Sequence, residues 1–484
     1  MRHRLRAGFG LTGVILALNL IVTLISVPIF VRHWGEAAYG EWVALTNLTL
    51  SLSLLHFGVQ NYVTNRLITA YKNGDLPNGT RVFRAGVRLY TLFAATACLI
   101  TVGIAAAPET LTSLRIVVIP PAEGQGIILL QGGMVALALV IGYLLIVLIA
   151  VERYPRRLLY SIGEIAARGY APLMVALFGG TPLGAATAML ALTIGYGVLG
   201  GWEVRRHSPF PLGWRGVTWG EAARLLPPSC QFFAVALLQM LITSGVILIL
   251  ASAAGGEAVA AFNAALILTN LARSIIGQFL NTVYPEVAGV AATEAGRARL
   301  ADWYVVILKW ACAVCWLVAA GVAAFGVDVV RLWTGSDTLS DGGLNLLLAL
   351  ALALNAPLLV IRMFGFALTR QGALLRVEAL GAGITLTVGI VLAAADGARG
   401  MAAALCVGGI IGAPLAIWVG ARWTETSARR LRRELWRGLP IAALVFGLSP
   451  VLALTSGIVT RAALLVAMSA VGAVWLRTGV SRET

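Results

Sequence analysis

Arg273 stands inside the apolar run AAFNAALILTNLARSIIGQFLNTVYPEV, about fourteen residues into the helix expected there. An arginine that deep in a membrane costs roughly 2.5 to 3.5 kcal/mol even on the lenient insertion scale, so something must compensate for it. A water-filled cavity that receives an anion would do so, and the planar donor fork of guanidinium suits phosphate. A neighbouring carbonyl or acid would also serve. Arg362 and Arg168 lie nearer the cytoplasmic ends of their expected helices, where a long side chain can reach headgroups instead. Amides and hydroxyls recur around these arginines. Residues seven or eleven apart share a helix face at about 100° per residue. Asn263, Asn270, Ser274 and Asn281 therefore form one stripe, flanked by Arg273 and Gln278. Asn47, Ser51, Asn61 and Asn65 form a second, and Thr12, Asn19, Thr23 and Ser26 a third. Such groups pair with sugar hydroxyls as both donors and acceptors. Three polar faces point to a shared aqueous cavity; the other use of such residues is to join helices, at about 0.6 kcal/mol per bond. His56, beside Gln60 on another side of the second helix, is either a proton-sensitive coupling group or a packed one.

Other chemistry finds no support. The sequence has no Walker motif, no Gly-x-Ser-x-Gly and no acidic cluster fit for a metal. Cys98, Cys230, Cys312, Cys315 and Cys406 lie in apolar runs without ligand spacing to a histidine. No metal, no cofactor and no enzymatic activity are expected.

The elements that must position these residues are membrane helices. The chain is 59% hydrophobic and only 12% charged, with a mean hydropathy of +0.88, whereas a soluble domain carries about 25% charged residues. At about 20 apolar residues per span, 484 residues hold about fourteen helices and little else. The expected spans are 8–31, 41–63, 89–107, 127–151, 164–180, 183–203, 228–251, 259–287, 304–326, 342–368, 377–395, 400–420, 438–456 and 460–477. Prolines inside them, Pro28, Pro172, Pro285, Pro357 and Pro414, supply kinks. The net charge of +15 then reads as topology rather than nucleic-acid binding. Basic residues crowd one side: Arg2, Arg4 and Arg6, the stretches 66–88, 153–157, 205–224 and 422–437, and shorter groups beyond. The other side holds only Arg32, Arg115, Arg331, Arg399 and Arg461, which puts both termini in the cytoplasm.

An internal repeat is visible. Asn19 and Thr23 recur as Gln239 and Thr243, and Thr-Asn-Leu-x-x-Ser occurs at 46–51 and again at 269–274. Each Thr-Asn-Leu-x-x-Ser follows a loop containing Gly-Glu-Ala, at 35–37 and at 256–258. The layout is a six-helix lobe over 1–203, a cytoplasmic linker at 204–227, a second lobe over 228–420, a basic loop at 421–437, and helices 13 and 14 with a tail over 438–484.

The segment from 18 to 75 resembles the opening of the polysaccharide and O-antigen lipid-linked oligosaccharide flippases, a branch of the multidrug/oligosaccharidyl-lipid/polysaccharide (MOP) exporter superfamily. Val27-Pro28 ending the first helix, Tyr39-Gly40-x-Trp42, Phe57-Gly58 and the Asn73-Gly74-Asp75 turn carry the resemblance, with 271–290 similar to the family's eighth helix. His56 departs from it, since relatives often have an acid there. The resemblance implies two lobes rocking around a cationic cavity in a bacterial inner membrane. The implied cargo is an oligosaccharide on undecaprenyl diphosphate, for surface polysaccharide, lipopolysaccharide or exopolysaccharide. Membrane lipids, and a polymerase and glycosyltransferases, would be partners. A drug or metabolite cation antiporter of the same superfamily should need a mid-membrane carboxylate; the expected spans place none there. Glu36, Glu41 and Glu257 fall at outer ends, and Glu286 and Glu378 at inner ones.

Overall fold

The computed structural model describes residues 2–436 except 57, 108, 292–295, 297–298 and 369, and within these the side chains of 2–10, 12, 61, 231, 232, 235, 272, 275, 278, 281, 282, 285, 288, 371, 435 and 436 are left aside. The expected helices 13 and 14 lie outside the described residues. The structure is all-helical among the described residues, and the chain divides into two compact units, Met1–Val259 and Ala260–Thr484.

The first unit contains α1 (Arg2–Trp34), α2 (Glu36–Leu50), α3 (Val59–Lys72), α4 (Leu76–Ala106), the short α5 (Glu109–Ser113), α6 (Pro121–Ala150), α7 (Tyr154–Ile165), α8 (Ala171–Leu177), α9 (Pro182–His207), the short α10 (Trp219–Ala223), α11 (Cys230–Met240) and the start of α12 (Val246–Ala291). The second holds the rest of α12, then α13 (Leu300–Thr334), α14 (Gly342–Ala367), α15 (Gln371–Trp423) and α16 (Ala428–Trp436). Eight helical stretches are long and apolar enough to cross a membrane. Two of them are pairs joined through non-helical residues, at Gly255 and at Asp396–Gly397. Ten of the twelve spans expected between 8 and 420 overlap these stretches, all but 41–63 and 164–180, and the chain is a multi-pass membrane protein.

Where the structure departs from the sequence reading, local backbone chemistry gives the reason. The second span is not one helix: α2 ends at Leu50, a 3-10 turn runs over Ser51–His56, and Gly58 takes φ +66, which a residue without Cβ adopts freely. Asn61 and Asn65 thus belong to α3, and the 100° argument that joined them to Asn47 and Ser51 fails across the break. The first helix does not end at Val27-Pro28 but continues to Trp34. The fifth span starts ten residues earlier than expected, at Tyr154, because Pro155 fits the first turn, where its missing N–H costs no bond. α4 starts at Leu76 rather than 89: Gly74 turns the chain at φ +71, and the Asp75 side chain caps the N–H of Asn78 at 3.2 Å.

α4, α6 and α9 form the centre of the first unit. Tyr143 stacks on Phe83 and Tyr90 with centroids 5.7 and 4.4 Å apart, and its hydroxyl donates to the Phe83 carbonyl at 2.9 Å. The Thr46 and Thr49 hydroxyls, in and beside the repeated motif, tie α2 to α6 through the fully buried Gln131, at 3.1 and 2.9 Å. Tyr39 and Trp42 are buried and pack with Phe30 and Trp34, so the Tyr-Gly-x-Trp motif is part of an aromatic cluster. Between these aromatics, Gly40 lets α2 meet the chain at Gly256; a Cβ there would come within 1.7 Å of the Gly256 carbonyl oxygen. In the second unit α14 packs against both α13 and α15. Polar clasps hold its periphery: Lys309 to Glu434 at 2.7 Å, Arg430 to Asp302 at 2.6 Å, and Arg399 to Asp341 at 2.7 and 3.0 Å.

Candidate functional site

Two polar constellations stand out, one in each unit. In the second, Arg362 lies near the end of α14 and Glu378 near the start of α15, and the short turn between the helices sets them side by side. Nε of Arg362 donates to Oε1 of Glu378 at 2.7 Å, and the Glu378 side chain is only 4% exposed. Arg362 thus has an acidic partner on the neighbouring helix, and Glu378 is buried against it. The Arg273 guanidinium, half-buried on α12, lies within range of the charge of Arg362. Such a group can hold an anion with several charge-assisted donors.

The first unit contains a pocket of about 190 Å³ between the broken second span, α6, α7 and α9. Its polar lining includes His56, Gln60, Arg157, Glu164, Arg168 and Tyr196. Glu164 and Arg168, one helical turn apart, form an ion pair at 3.3 Å. A π turn over Ala166–Tyr170 carries Arg168, and it precedes Pro172, which has no N–H to return to the Arg168 carbonyl. Because α7 starts at Tyr154, Glu164 is about 15 Å and Arg168 about 21 Å along the segment at 1.5 Å per residue. A carboxylate thus lies mid-way along this helical segment, and Arg168 is several turns from its start. The sequence signal was the Glu-x-x-x-Arg spacing; reading Arg153 to Arg157 as a loop hid its depth.

The amides and hydroxyls of the stripes mostly answer to their own helices. Asn19 donates to the Ile15 carbonyl at 3.0 Å, Thr23 to Asn19 at 2.8 Å, Ser26 to Thr23 at 3.3 Å, Asn47 to Val43 at 2.8 Å and Ser51 to Leu48. Thr243 returns to Gln239 at 2.9 Å, at a second π turn over Leu241–Gly245. Asn19, Asn65 and Ser274 are exposed, while Asn47, Ser51, Gln239, Asn263 and Asn270 are partly buried. The side chains of Thr12, Asn61, Gln278 and Asn281 lie outside the described set. Back-bonding to the preceding turn leaves acceptor capacity on each oxygen but uses one donor per group. His56 sits in the pocket with Gln60; its Nδ1 is buried and has no hydrogen-bond partner among the described residues.

These features define a polytopic helical membrane protein with charged groups held inside its helix bundles. Comparison with solved structures specifies the fold. The lipid II flippase MurJ, in an inward closed conformation, superposes with a TM-score of 0.74 over 97% of this chain and 99% of its own, at 11% identity. An inward-facing multidrug resistance MATE transporter of the MOP superfamily gives 0.64 over 84% and 96%, at 16% identity. The Vibrio cholerae MATE transporter VcmN in its bent form gives 0.51 over 88% and 98%, at 15% identity. No protein-family model and no curated protein matches the chain. The chain thus has the fold of MOP-superfamily flippases and transporters.

Proposed function

We propose that this protein is a flippase that carries an oligosaccharide on undecaprenyl diphosphate across the bacterial inner membrane by alternating access. The Arg273, Arg362 and Glu378 cluster carries this reading. Two guanidiniums within range of one another suit a diphosphate better than a cationic drug, which like charges would repel. Asn19, Thr23, Asn47, Ser51, Asn61, Asn65, Gln239, Asn270, Ser274, Gln278 and Asn281 would meet the sugar through groups not already bonded within their helices. The likeness to the lipid II flippase supports a lipid-linked cargo. The basic segments support cytoplasmic termini, with glycosyltransferases supplying the cargo on that side and a polymerase consuming it on the other.

The test is complementation. The gene is deleted, surface glycan and inner-leaflet lipid-linked oligosaccharide are followed, and wild type, Arg273→Ala or Arg273→Lys is restored. A charge-assisted phosphate contact worth about 2 kcal/mol predicts that Arg273→Ala, at normal membrane abundance, lowers delivery on the order of 30-fold. Arg273→Lys should recover part of it. Unchanged surface glycan with increased drug sensitivity would favour the second reading, a cation antiporter of the same superfamily. Glu164, in the pocket of the first unit, would be the carboxylate for such an exchanger.

A further inference from the structure

The connection from α9 to α10 is folded onto the start of α4 by arginines that meet carbonyls rather than acids. Arg84 donates through Nε to the Pro211 carbonyl at 3.3 Å and through Nη1 to that of Arg215 at 3.0 Å, and Arg88 donates to the Val217 carbonyl. Carbonyls satisfy these donors without cancelling the positive charge. Phe210 anchors the same turn: its ring lies 6.3 Å from that of Phe83, and a Cβ on Gly79 would come within 2.5 Å of it. The outer side of this stapled turn is basic and aromatic. Trp214 is 53% and Trp219 52% exposed, the Arg88 guanidinium lies 4.2 Å over the Trp219 ring, and Arg81, Arg215 and Arg224 are exposed alongside. Asp75 and Glu221 are spent on helix caps, and Glu221, which feels both Arg81 and Arg224, cannot balance the two.

Helix length fixes the depth of the patch. α4 has 31 residues, about 46 Å at 1.5 Å per residue, against a hydrocarbon core of about 30 Å. Its arginines all fall within 81–88 and its far end is apolar, so the surplus of about 16 Å lies at this end. Arg81, Arg84 and Arg88 are then beyond the hydrocarbon or within a turn of its edge. The stapled turn runs along this stretch at headgroup depth, where an indole, apolar with one N–H, is most stable.

We propose that this stapled turn is a site for anionic phospholipid headgroups of the adjoining leaflet, with Trp214 and Trp219 seated among the headgroups and Arg81, Arg88, Arg215 and Arg224 gathering their phosphates. The lipid closes over residues 208–224 and holds the connection from α9 to α11 against α4. A soluble anion lacks the apolar region that the indoles engage, and a zwitterionic headgroup lacks the net charge that the arginines oppose. This site would serve a lipid-linked or a soluble cargo alike and does not rest on the diphosphate reading.

The test uses the full-length chain in lipid nanodiscs without cargo, so its outcome is independent of whether the protein flips glycolipid. The discs contain phosphatidylcholine alone or an equal mixture with phosphatidylglycerol. Amide hydrogen exchange over 208–224 should slow roughly fivefold or more in the mixture, since each arginine near an anionic surface is worth a factor of about five. The loop at 109–119, beyond the other end of α4, should not change. A variant combining Arg81→Gln, Arg215→Gln and Arg224→Gln keeps the Arg84 and Arg88 staples and should lose the slowing. Should that variant not fold, salt at about 1 M, which shortens the screening length to about 3 Å, should abolish the difference in wild type. Equal exchange in the two lipids, a triple variant or a high-salt sample that retains the difference, or the same slowing from inorganic phosphate added to phosphatidylcholine discs would overturn the proposal.

Discussion

Replacing Glu41 by glutamine should be among the most damaging isosteric changes in the first unit. The Glu41 side chain is buried, with the residue 2% exposed, and its two oxygens gather three consecutive backbone donors from the loop that follows α5. The N–H groups of Val117 and Val118 donate to Oε1 at 2.7 and 2.8 Å, and that of Ile119 donates to Oε2 at 2.7 Å. A hydrogen bond to a charged group contributes about 1.5 to 3 kcal/mol, and one to a neutral group about 1. In Glu41→Gln the amide oxygen can keep Val117 and Val118 as weaker neutral bonds, a loss of about 1 kcal/mol each. The amide nitrogen then faces the Ile119 N–H, donor against donor, which forfeits that bond and leaves a buried donor unsatisfied for about 2 kcal/mol more. The expected destabilisation is about 4 kcal/mol. Unfolding of the purified protein from mild into denaturing detergent, followed by tryptophan fluorescence, measures it, since Trp42 is the buried neighbour of Glu41. A Glu41→Gln variant within about 0.5 kcal/mol of wild type would refute the reasoning, because a neutral side chain would then satisfy the loop equally well.

Lys309, with a side chain 7% exposed, reaches from α13 to Glu434 of α16. Lys309→Met should destabilise by about 3 kcal/mol by stranding the carboxylate, and Lys309→Met with Glu434→Leu should recover most of that in the same assay. Asp341 caps α14 through Gly343 and Leu344 and takes two donors from Arg399. Burial pushes its carboxyl upward, but the Arg399 bonds and the cap outweigh burial and hold it below the ordinary 3.8. A depressed folded value means its contribution is present above about pH 4 and is lost as the pH falls lower. Acid unfolding should therefore show a loss below about pH 4 that is absent in Asp341→Asn, which starts less stable at neutral pH.

The hydrophobic runs and their spacing determined that this chain is a multi-pass helical protein and located ten of its spans. The reason is that a membrane forces backbone hydrogen bonds to close within each segment, so apolar length alone marks a helix. Pattern also picked out Arg273 and His56, since an ionisable group inside an apolar run is conspicuous. It could not read the breaks within helices. A 3-10 turn at Ser51–His56 and a π turn at Ala166–Tyr170 leave hydropathy unchanged while rotating every later side chain, and so the asparagine stripe of the second span dissolved. Partnership was equally hidden. The Arg362 and Glu378 contact depends on how α14 turns into α15, and the three donors on Glu41 come from more than seventy residues away. Only folding determines which charges meet, because a charge buried in an apolar interior takes whatever partner the packing brings within reach.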